Sequence, residues 1–148
     1  MATNYPPVGF HFLVDFEKFP LASREISFME VGGLSSEIPV ESIAEGGELR
    51  FKYSLPGVPQ YPKLVLKRGL LSDSKLIKWC KQTIEDFVIE PSNITIHLLN
   101  ENHDSLSIWK VLNAYPVKWS ISDLNAGQNS LVVESIEFSY QYFIFEKV

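Results

Sequence analysis

Alternation of apolar and polar residues dominates this chain and predicts half-buried β-strands. In "FHFLVDF", Phe10, Phe12, Val14 and Phe16 fall on one face, with His11, Leu13 and Asp15 on the other. "LRFKYSL" alternates more strictly, setting Leu49, Phe51, Tyr53 and Leu55 against Arg50, Lys52 and Ser54. "ESIEFSYQYFIF" predicts one long last strand with Ile136, Phe138, Tyr140, Tyr142 and Ile144 on one side. Ser135, Glu137, Ser139 and Gln141 stand opposite, followed by Phe143 and Phe145. "NITIHLLNENHDSLSIWKVLNA" reads as a hairpin turning at Asn100 to Ser105. "SFMEVGGL" reads as a strand ended by Gly32 and Gly33, which reach backbone angles closed to other residues. The prolines and glycine of "YSLPGVPQYP" should keep it out of a sheet, as the tip or return of a projecting loop.

Helical spacing occurs once, in "SDSKLIKWCKQTIEDFV". Leu76, Cys80, Thr83, Ile84 and Phe87 share a face, and Lys75, Lys78, Lys81 and Glu85 lie elsewhere. Ser72 or Asp73 is expected to cap the first turn, and Pro91 to end a helix of about four turns by disfavouring helix at Glu90. These elements predict a mainly β (α+β) fold, an antiparallel β-barrel or sandwich with one flanking α-helix. No linker or internal repeat divides residues 1–148, which read as a single domain.

Composition narrows the function. The chain has 148 residues, 45% of them hydrophobic and 21% charged, the profile of an ordinary globular domain. No apolar run approaches the roughly 20 residues of a membrane span. "MATNYPPVGF" lacks a basic segment and an apolar signal core, so no signal peptide is expected and assembly is expected in the cytoplasm. Cys80 is the single cysteine, which fits a reducing compartment. The net charge is −5 and no basic cluster exceeds "LKRG", against the basic face of a generic nucleic-acid binder.

Motifs that carry chemistry are missing. There is no GxSxG, GxxxxGK[ST] or HExxH, so no catalytic residue, cofactor or metal is expected. His11 and His97 lie mid-strand and His103 in a turn, without ligand spacing. A metal site would require them to converge through the fold, and they are expected to be isolated, surface or partner-facing. Cys80 is read as a packing residue, since a reactive thiolate wants an electropositive, accessible setting. Glu134 and Glu137, three apart in a strand, point to opposite faces and read as solvated or interface carboxylates, not an acid–base pair. Gly46 and Gly47 read as turn glycines.

"NAYPVKWSISDLNAGQN" concentrates polar and aromatic groups that would suit either a pocket or a bent strand. On the second reading Asn113 and Ala114 end a strand, Pro116 bends the chain, and Val117, Trp119 and Ile121 begin a new segment. Trp119 is then a packing or interface anchor, Lys118 its solvated or inter-subunit neighbour, Asp123 a turn former, and Gly127 permits the reversal. On the first, the Tyr115–Trp119 region of a monomeric barrel holds a small ligand. Aromatics on both faces of the last strand would make an exposed edge adhesive unless a neighbouring chain completes it. That points to an assembly subunit, with a barrel closed within one chain as the alternative.

Six landmarks in order bring in a family. "PPVGFHFLVDF", "FMEVGGLSSEIPVESIAEGGE", "LPGVPQYPKLVLKRGLLSDSKLIKWC", "ITIHLL", "WKVLNAYPVKWSISDLNAGQN" and "VVESIEFSYQYF" span nearly the whole chain. With them the chain resembles the tail tube proteins of contractile-tailed phages and contractile injection systems. The resemblance implies a barrel or sandwich shared with the haemolysin-coregulated tube protein of type VI secretion. It implies six-membered rings of this chain, stacked into a hollow tube inside a sheath, meeting baseplate and hub proteins and carrying cargo in the lumen. It implies no catalysis, and no membrane insertion by this chain alone. The strands around Phe10–Phe16, Leu49–Leu55, Ile94–Leu99 and Val133–Ile144 would line the lumen and continue between protomers. Ile43 to Tyr61 resembles the loop that reaches the adjoining ring. Candidate contacts are Arg50, Lys52, Tyr53, Leu55, Trp119, Tyr140, Tyr142 and Phe143. The ending "SYQYFIFEKV" departs from the His-Glu-containing ending of many members, which leaves open a specialised baseplate-proximal paralogue.

Overall fold

The alternating segments pair into two antiparallel layers. The structure, a computed structural model, describes residues 11–18, 27–44, 46–47, 49–71, 74–127 and 132–147. In chain order the elements are β1 (His11–Phe16), β2 (Ser27–Phe28), β3 (Glu30–Gly32), β4 (Val40–Ile43) and β5 (Tyr53–Pro56). Then come β6 (Leu64–Gly69), α1 (Lys75–Glu85), β7 (Ser92–Leu99), β8 (Ser105–Ile121), β9 (Val133–Ser139) and β10 (Tyr142–Lys147). One layer runs β2-β1-β7-β8, with β10 on the other side of β8; the second runs β3-β6-β9 and returns to β8. The fold is a sandwich, not a closed barrel, and β8 serves both layers.

Packing explains the strand pattern. Val14 and Phe16 of β1, Leu64 and Leu66 of β6, Ile94 and Ile96 of β7 and Ile136 and Phe138 of β9 are all buried. The hairpin between β7 and β8 forms as its polar turn predicts. Helix α1 has three turns, shorter than expected, and lies against β8. It buries Leu76, Trp79, Cys80 and Thr83, while Ile84 is half-exposed and Phe87 lies beyond the last turn. Ser74 is the cap, its hydroxyl accepting from the Leu76 and Ile77 N–H groups; Ser72 and Asp73 lie outside the described residues. The Trp79 ring meets Phe16 of one layer (5.8 Å) and Phe138 of the other (5.6 Å), so this one side chain ties the helix to both layers.

One buried polar network ties the helix to the sheet. Arg68 donates from Nε to Glu134 Oε2 (3.0 Å) and from Nη2 to the capping Ser74 Oγ (2.7 Å). Trp119 Nε1 donates to Glu134 Oε1 (2.8 Å). Glu134 is fully buried, which corrects its reading as a solvated or interface carboxylate. It is in phase with Ile136 and Phe138, as Arg68 is with Leu64 and Leu66, and the two face each other across the β6–β9 ladder. A charge can be kept there because its partner and hydrogen bonds come with it. Glu137, on the opposite face as expected, is near Lys118 (3.8 Å).

Two strand predictions are corrected at one corner. Asn113 and Ala114 do not end a strand, because β8 is continuous over 17 residues. Asn113 instead has φ +53° and reverses which face its neighbours occupy, so that Val111 and Ala114 are both buried. Pro116 is buried in the strand, where a register shift between Pro116 and Lys118 accommodates a residue without an N–H. The predicted long last strand is also broken, at Tyr140 and Gln141, into β9 and β10. Gln141 lies beside Asn113, its N–H bonding Leu112 O and its Oε1 accepting from Asn113 Nδ2 (2.8 Å). The break moves Phe143 onto the core and leaves Tyr142 and Ile144, assigned to the Ile136 face by simple alternation, exposed.

Candidate assembly interface

Gly33 starts the feature that stands apart from the sandwich. Its φ of +87° suits glycine, and a Cβ there would lie 2.0 Å from the Lys63 carbonyl oxygen. From it the chain enters a two-stranded ribbon that pairs with no strand of the main sheet. Glu37 and Gln60 exchange backbone hydrogen bonds at the root (3.1 and 2.7 Å), and Gly57 N–H bonds Pro39 O (2.7 Å). Beyond them β4 and β5 pair from Val40–Pro56 to Ile43–Tyr53. At roughly 3.3 Å per residue the ribbon extends about 20 Å before its glycine-containing tip.

The ribbon is apolar and uncovered. Glu41, Ile43, Tyr53 and Leu55 share one face by register, and the Phe51 ring meets Tyr53 edge-on at 5.2 Å. Phe51, Tyr53 and Leu55 are each 48% exposed, and Leu49 is 99% exposed. Ile38, Val40 and Val58 add further exposed apolar surface. The expected strand Leu49–Leu55 is therefore corrected: only Tyr53–Pro56 is strand, paired with β4, and the segment adds nothing to the main sheet. The projecting character of "YSLPGVPQYP" holds, although its first four residues do form a ladder. Arg50 and Lys52 lie exposed just before β5.

A second group of candidates gathers at the ribbon's root. Tyr61 packs edge-on against Phe143 (5.2 Å) and Tyr140 (6.0 Å), beside the corner of β9 and β10. The Tyr140 hydroxyl is buried without a hydrogen-bond partner among the described residues. Burial, and secondarily Tyr61, push its pKa up to about 12. Tyr142 lies on the opposite face of β10 from Phe143. Across that strand, on the core-side face, Phe145 meets Trp109 at 5.2 Å. The outer edge of β10 pairs with no strand among the described residues, so its backbone groups remain free to bond another chain. Trp119 belongs elsewhere, in the β8–β9 part of the second layer, its indole N–H already used by Glu134.

Among the described residues, two open depressions are lined by Ser35, Ser36, Glu37, Gln60, Tyr61 and Pro62, and by a β3–β6–β9 groove reaching Ser120 and Ile121; neither includes Tyr115 or Trp119. The Cys80 thiol is buried, its pKa pushed up to about 12 by burial first and by Glu134 second. The histidines are not isolated, contrary to expectation: His11 Nε2 lies 3.0 Å from His103 Nδ1, and His97 Nε2 lies 3.2 Å from Asp15 Oδ2.

An exposed apolar ribbon on a sandwich with an open edge is the anatomy of a part, and comparison with known proteins says of what. The family model described as "T4-like virus tail tube protein gp19" matches residues 8–144. The chain belongs to this tail tube family. A chain in the cryo-EM structure of the anti-feeding prophage baseplate, 6-fold symmetrised, is similar to this tail tube family member at 28% identity. That match covers 99% of this chain and 98% of the other, with a TM-score of 0.85. A chain in the sheath-tube complex of the extracellular contractile injection system PVC, in the extended state, is 23% identical over 98% and 94% of the two chains, TM-score 0.79. Hcp1 from Flavobacterium johnsoniae shares the fold at 13% identity over 93% and 96%, TM-score 0.59. No curated protein matches in sequence. The family is one of tail tube proteins, and two of these neighbours are chains of a baseplate and of a sheath-tube complex. No helix among the described residues is long and apolar enough to cross a membrane.

Proposed function

We propose that this chain is the inner tube subunit of a contractile injection system or phage tail. Six copies form a ring, rings stack into a hollow tube, and contraction of a surrounding sheath drives the tube through a target envelope. It assembles in the cytoplasm before joining the particle, meets hub and baseplate proteins at one end, and carries any cargo in the lumen. The observation that supports this most is the ribbon: an apolar strip of Ile43, Phe51, Tyr53 and Leu55, each about half exposed, on two strands that pair with no strand of the sandwich among the described residues. On this reading Tyr53 and Leu55 bury against the next ring, and Arg50 and Lys52 meet its carboxylates. Tyr140, Tyr142, Phe143 and Trp119 serve contacts within the ring. The 6-fold symmetry of the similar baseplate assembly supports the ring number.

Magnitudes favour the apolar terms. Full burial of a large apolar side chain is worth about 1.5–3 kcal/mol, so covering the exposed half of Tyr53 or Leu55 contributes roughly 1 kcal/mol per copy. An exposed ion pair contributes about 0–1 kcal/mol. Tyr53→Asp or Leu55→Asp replaces the gain with a carboxylate that must lose water without a partner. Each variant should keep its circular dichroism spectrum and still form rings, while negative-stain microscopy shows no tubes. Tubes of ordinary length from both variants would refute the placement of this contact. A protein that stays monomeric at high concentration, with and without baseplate partners, would refute the tube itself.

A second reading is a ring specialised for the baseplate end. It is favoured by the 28% identity to a chain of the baseplate assembly and by the aromatic ending Tyr142–Phe145. Long tubes from the purified chain alone support the main tube; single rings that elongate only with a second tube protein support the specialised one.

A further inference from the structure

We infer that His11 and His103 form a two-histidine site for a borderline divalent transition-metal ion of the zinc, nickel and copper class. The fold supplies a convergence that sequence spacing lacks. His11 opens β1 opposite Leu99, the last residue of β7, and the next residues turn back towards it. That turn is tightly built. Asn100 Oδ1 accepts from the N–H groups of Asn102 (2.8 Å) and Asp104 (2.9 Å), Asn100 N–H bonds Asp104 O (2.9 Å), and His103 N–H bonds Asn100 O (3.0 Å). His103 is held at φ +65°, a left-handed conformation that histidine adopts more readily than most residues. Its Nδ1 is thereby fixed 3.0 Å from His11 Nε2, with ring centroids 4.7 Å apart and planes at 75°.

Two facing imidazole nitrogens at this distance share one hydrogen at most, so at least one presents a lone pair. When both rings carry their hydrogen on the remote nitrogen, both lone pairs converge on one point. Zinc–nitrogen bonds of about 2.0–2.1 Å at a tetrahedral angle require the nitrogens roughly 3.3 Å apart. The observed pair needs to open by only about 0.3 Å to reach that geometry. Imidazole selects zinc, nickel and copper; magnesium and calcium demand oxygen ligands. His103 is exposed in the turn and His11 half-buried at the start of β1, and no group of three or more ligating side chains exists among the described residues. Water therefore completes the shell, and the ion is exchangeable and removed by chelators. His97 is the internal control, since its ring is engaged by Asp15 on β1.

The test is calorimetric titration of the untagged full-length chain with zinc chloride, then nickel chloride, above the ordinary imidazole pKa range. One saturable equivalent per chain is expected, with no binding of magnesium. His11→Gln and His103→Gln should each weaken the zinc affinity at least about tenfold, the loss that removal of even an outer-shell partner brings. His97→Gln should leave it unchanged. Circular dichroism checks the fold of each variant. Should a variant unfold, imidazole NMR signals of the wild-type chain replace it, and those of His11 and His103 should move on zinc addition while those of His97 do not. A wild-type isotherm equal to that of the His11→Gln/His103→Gln double variant, equal loss on His97→Gln, or unmoved His11 and His103 signals overturns the inference.

Discussion

Glu134→Gln should cost far more than its single-atom change suggests. The two oxygens of Glu134 serve different donors, Oε2 the Arg68 Nε and Oε1 the Trp119 Nε1. A glutamine has one oxygen, so one of these donors must face an NH2 group, and the Arg68 guanidinium, 2% exposed, loses the carboxylate that its Nε bonds. Removing one member of such a buried pair costs about 3–5 kcal/mol, a large share of the ~5–15 kcal/mol that holds a domain folded. For a chain of this size about 1 kcal/mol lowers the melting temperature by about 2–4 °C, so the loss is roughly 6–20 °C. Urea unfolding followed by tryptophan fluorescence and circular dichroism reads it directly. Protein concentration must be fixed and varied as a control, because assembly adds to apparent stability by mass action. The double variant Arg68→Met/Glu134→Leu should recover most of the loss, since an apolar pair carries no charge that has to be desolvated. A Glu134→Gln cost below about 1 kcal/mol, or a double variant as unstable as the single, would show that the pair is not what fixes the helix cap to the sheet.

The remaining predictions concern two buried groups. Cys80 should resist a thiol reagent near neutral pH and react on addition of denaturant, because its folded pKa is about 12 against an ordinary 9.0; ready labelling of the folded chain would contradict its burial. A raised pKa means the folded state holds the proton more tightly. The stability this contributes is whole below about 9 and falls as pH climbs from there towards 12, a slope that Cys80→Ala should flatten. Tyr140→Phe removes a buried hydroxyl without a partner among the described residues and should leave the dispersed protein unchanged or more stable by up to about 1 kcal/mol; a lower melting temperature would reveal a bond that the hydroxyl makes.

What was legible from sequence follows from which residues carry a periodic signal. Val14 and Phe16, Ile94 and Ile96, and Ile136 and Phe138 alternate cleanly and are all buried. The β7–β8 hairpin was legible because its turn is rich in polar residues. Alternation reports amphipathicity, however, and not what covers the apolar face. "LRFKYSL" alternates best of all, yet its apolar residues lie on an uncovered ribbon. The corner was hidden for a different reason: Asn113 at positive φ reverses the faces of β8, and Asn113 gives no period of its own. Trp79 could have been found, since it lies three residues after Leu76 and four before Thr83, on the same helical face; Ser74 was missed as the cap because Ser72 and Asp73 compete for that role. Glu134 could have been found, since a carboxylate in phase with Ile136 and Phe138 demands a buried cation, and Arg68 is in phase with Leu66. The Tyr61 contacts and the His11–His103 pair join distant segments, which no local pattern encodes.

The shared strand β8 sets the order in which this chain can fold. Its hairpin with β7 closes over a short turn, whereas β6 reaches β9 and β1 reaches β7 across about half the chain. Distant pairings must first overcome the entropy of closing a large loop, so the local hairpin is the natural nucleus. Its far end is then the template on which β9 forms, and β9 the template for β6. Neither layer is complete without the same strand, so the two layers form in one cooperative event. The ribbon makes no ladder with either layer, and its apolar face stays available at every stage. A chain built on such distant pairings folds slowly and carries that apolar face exposed while it does so, which favours self-association until the face is covered.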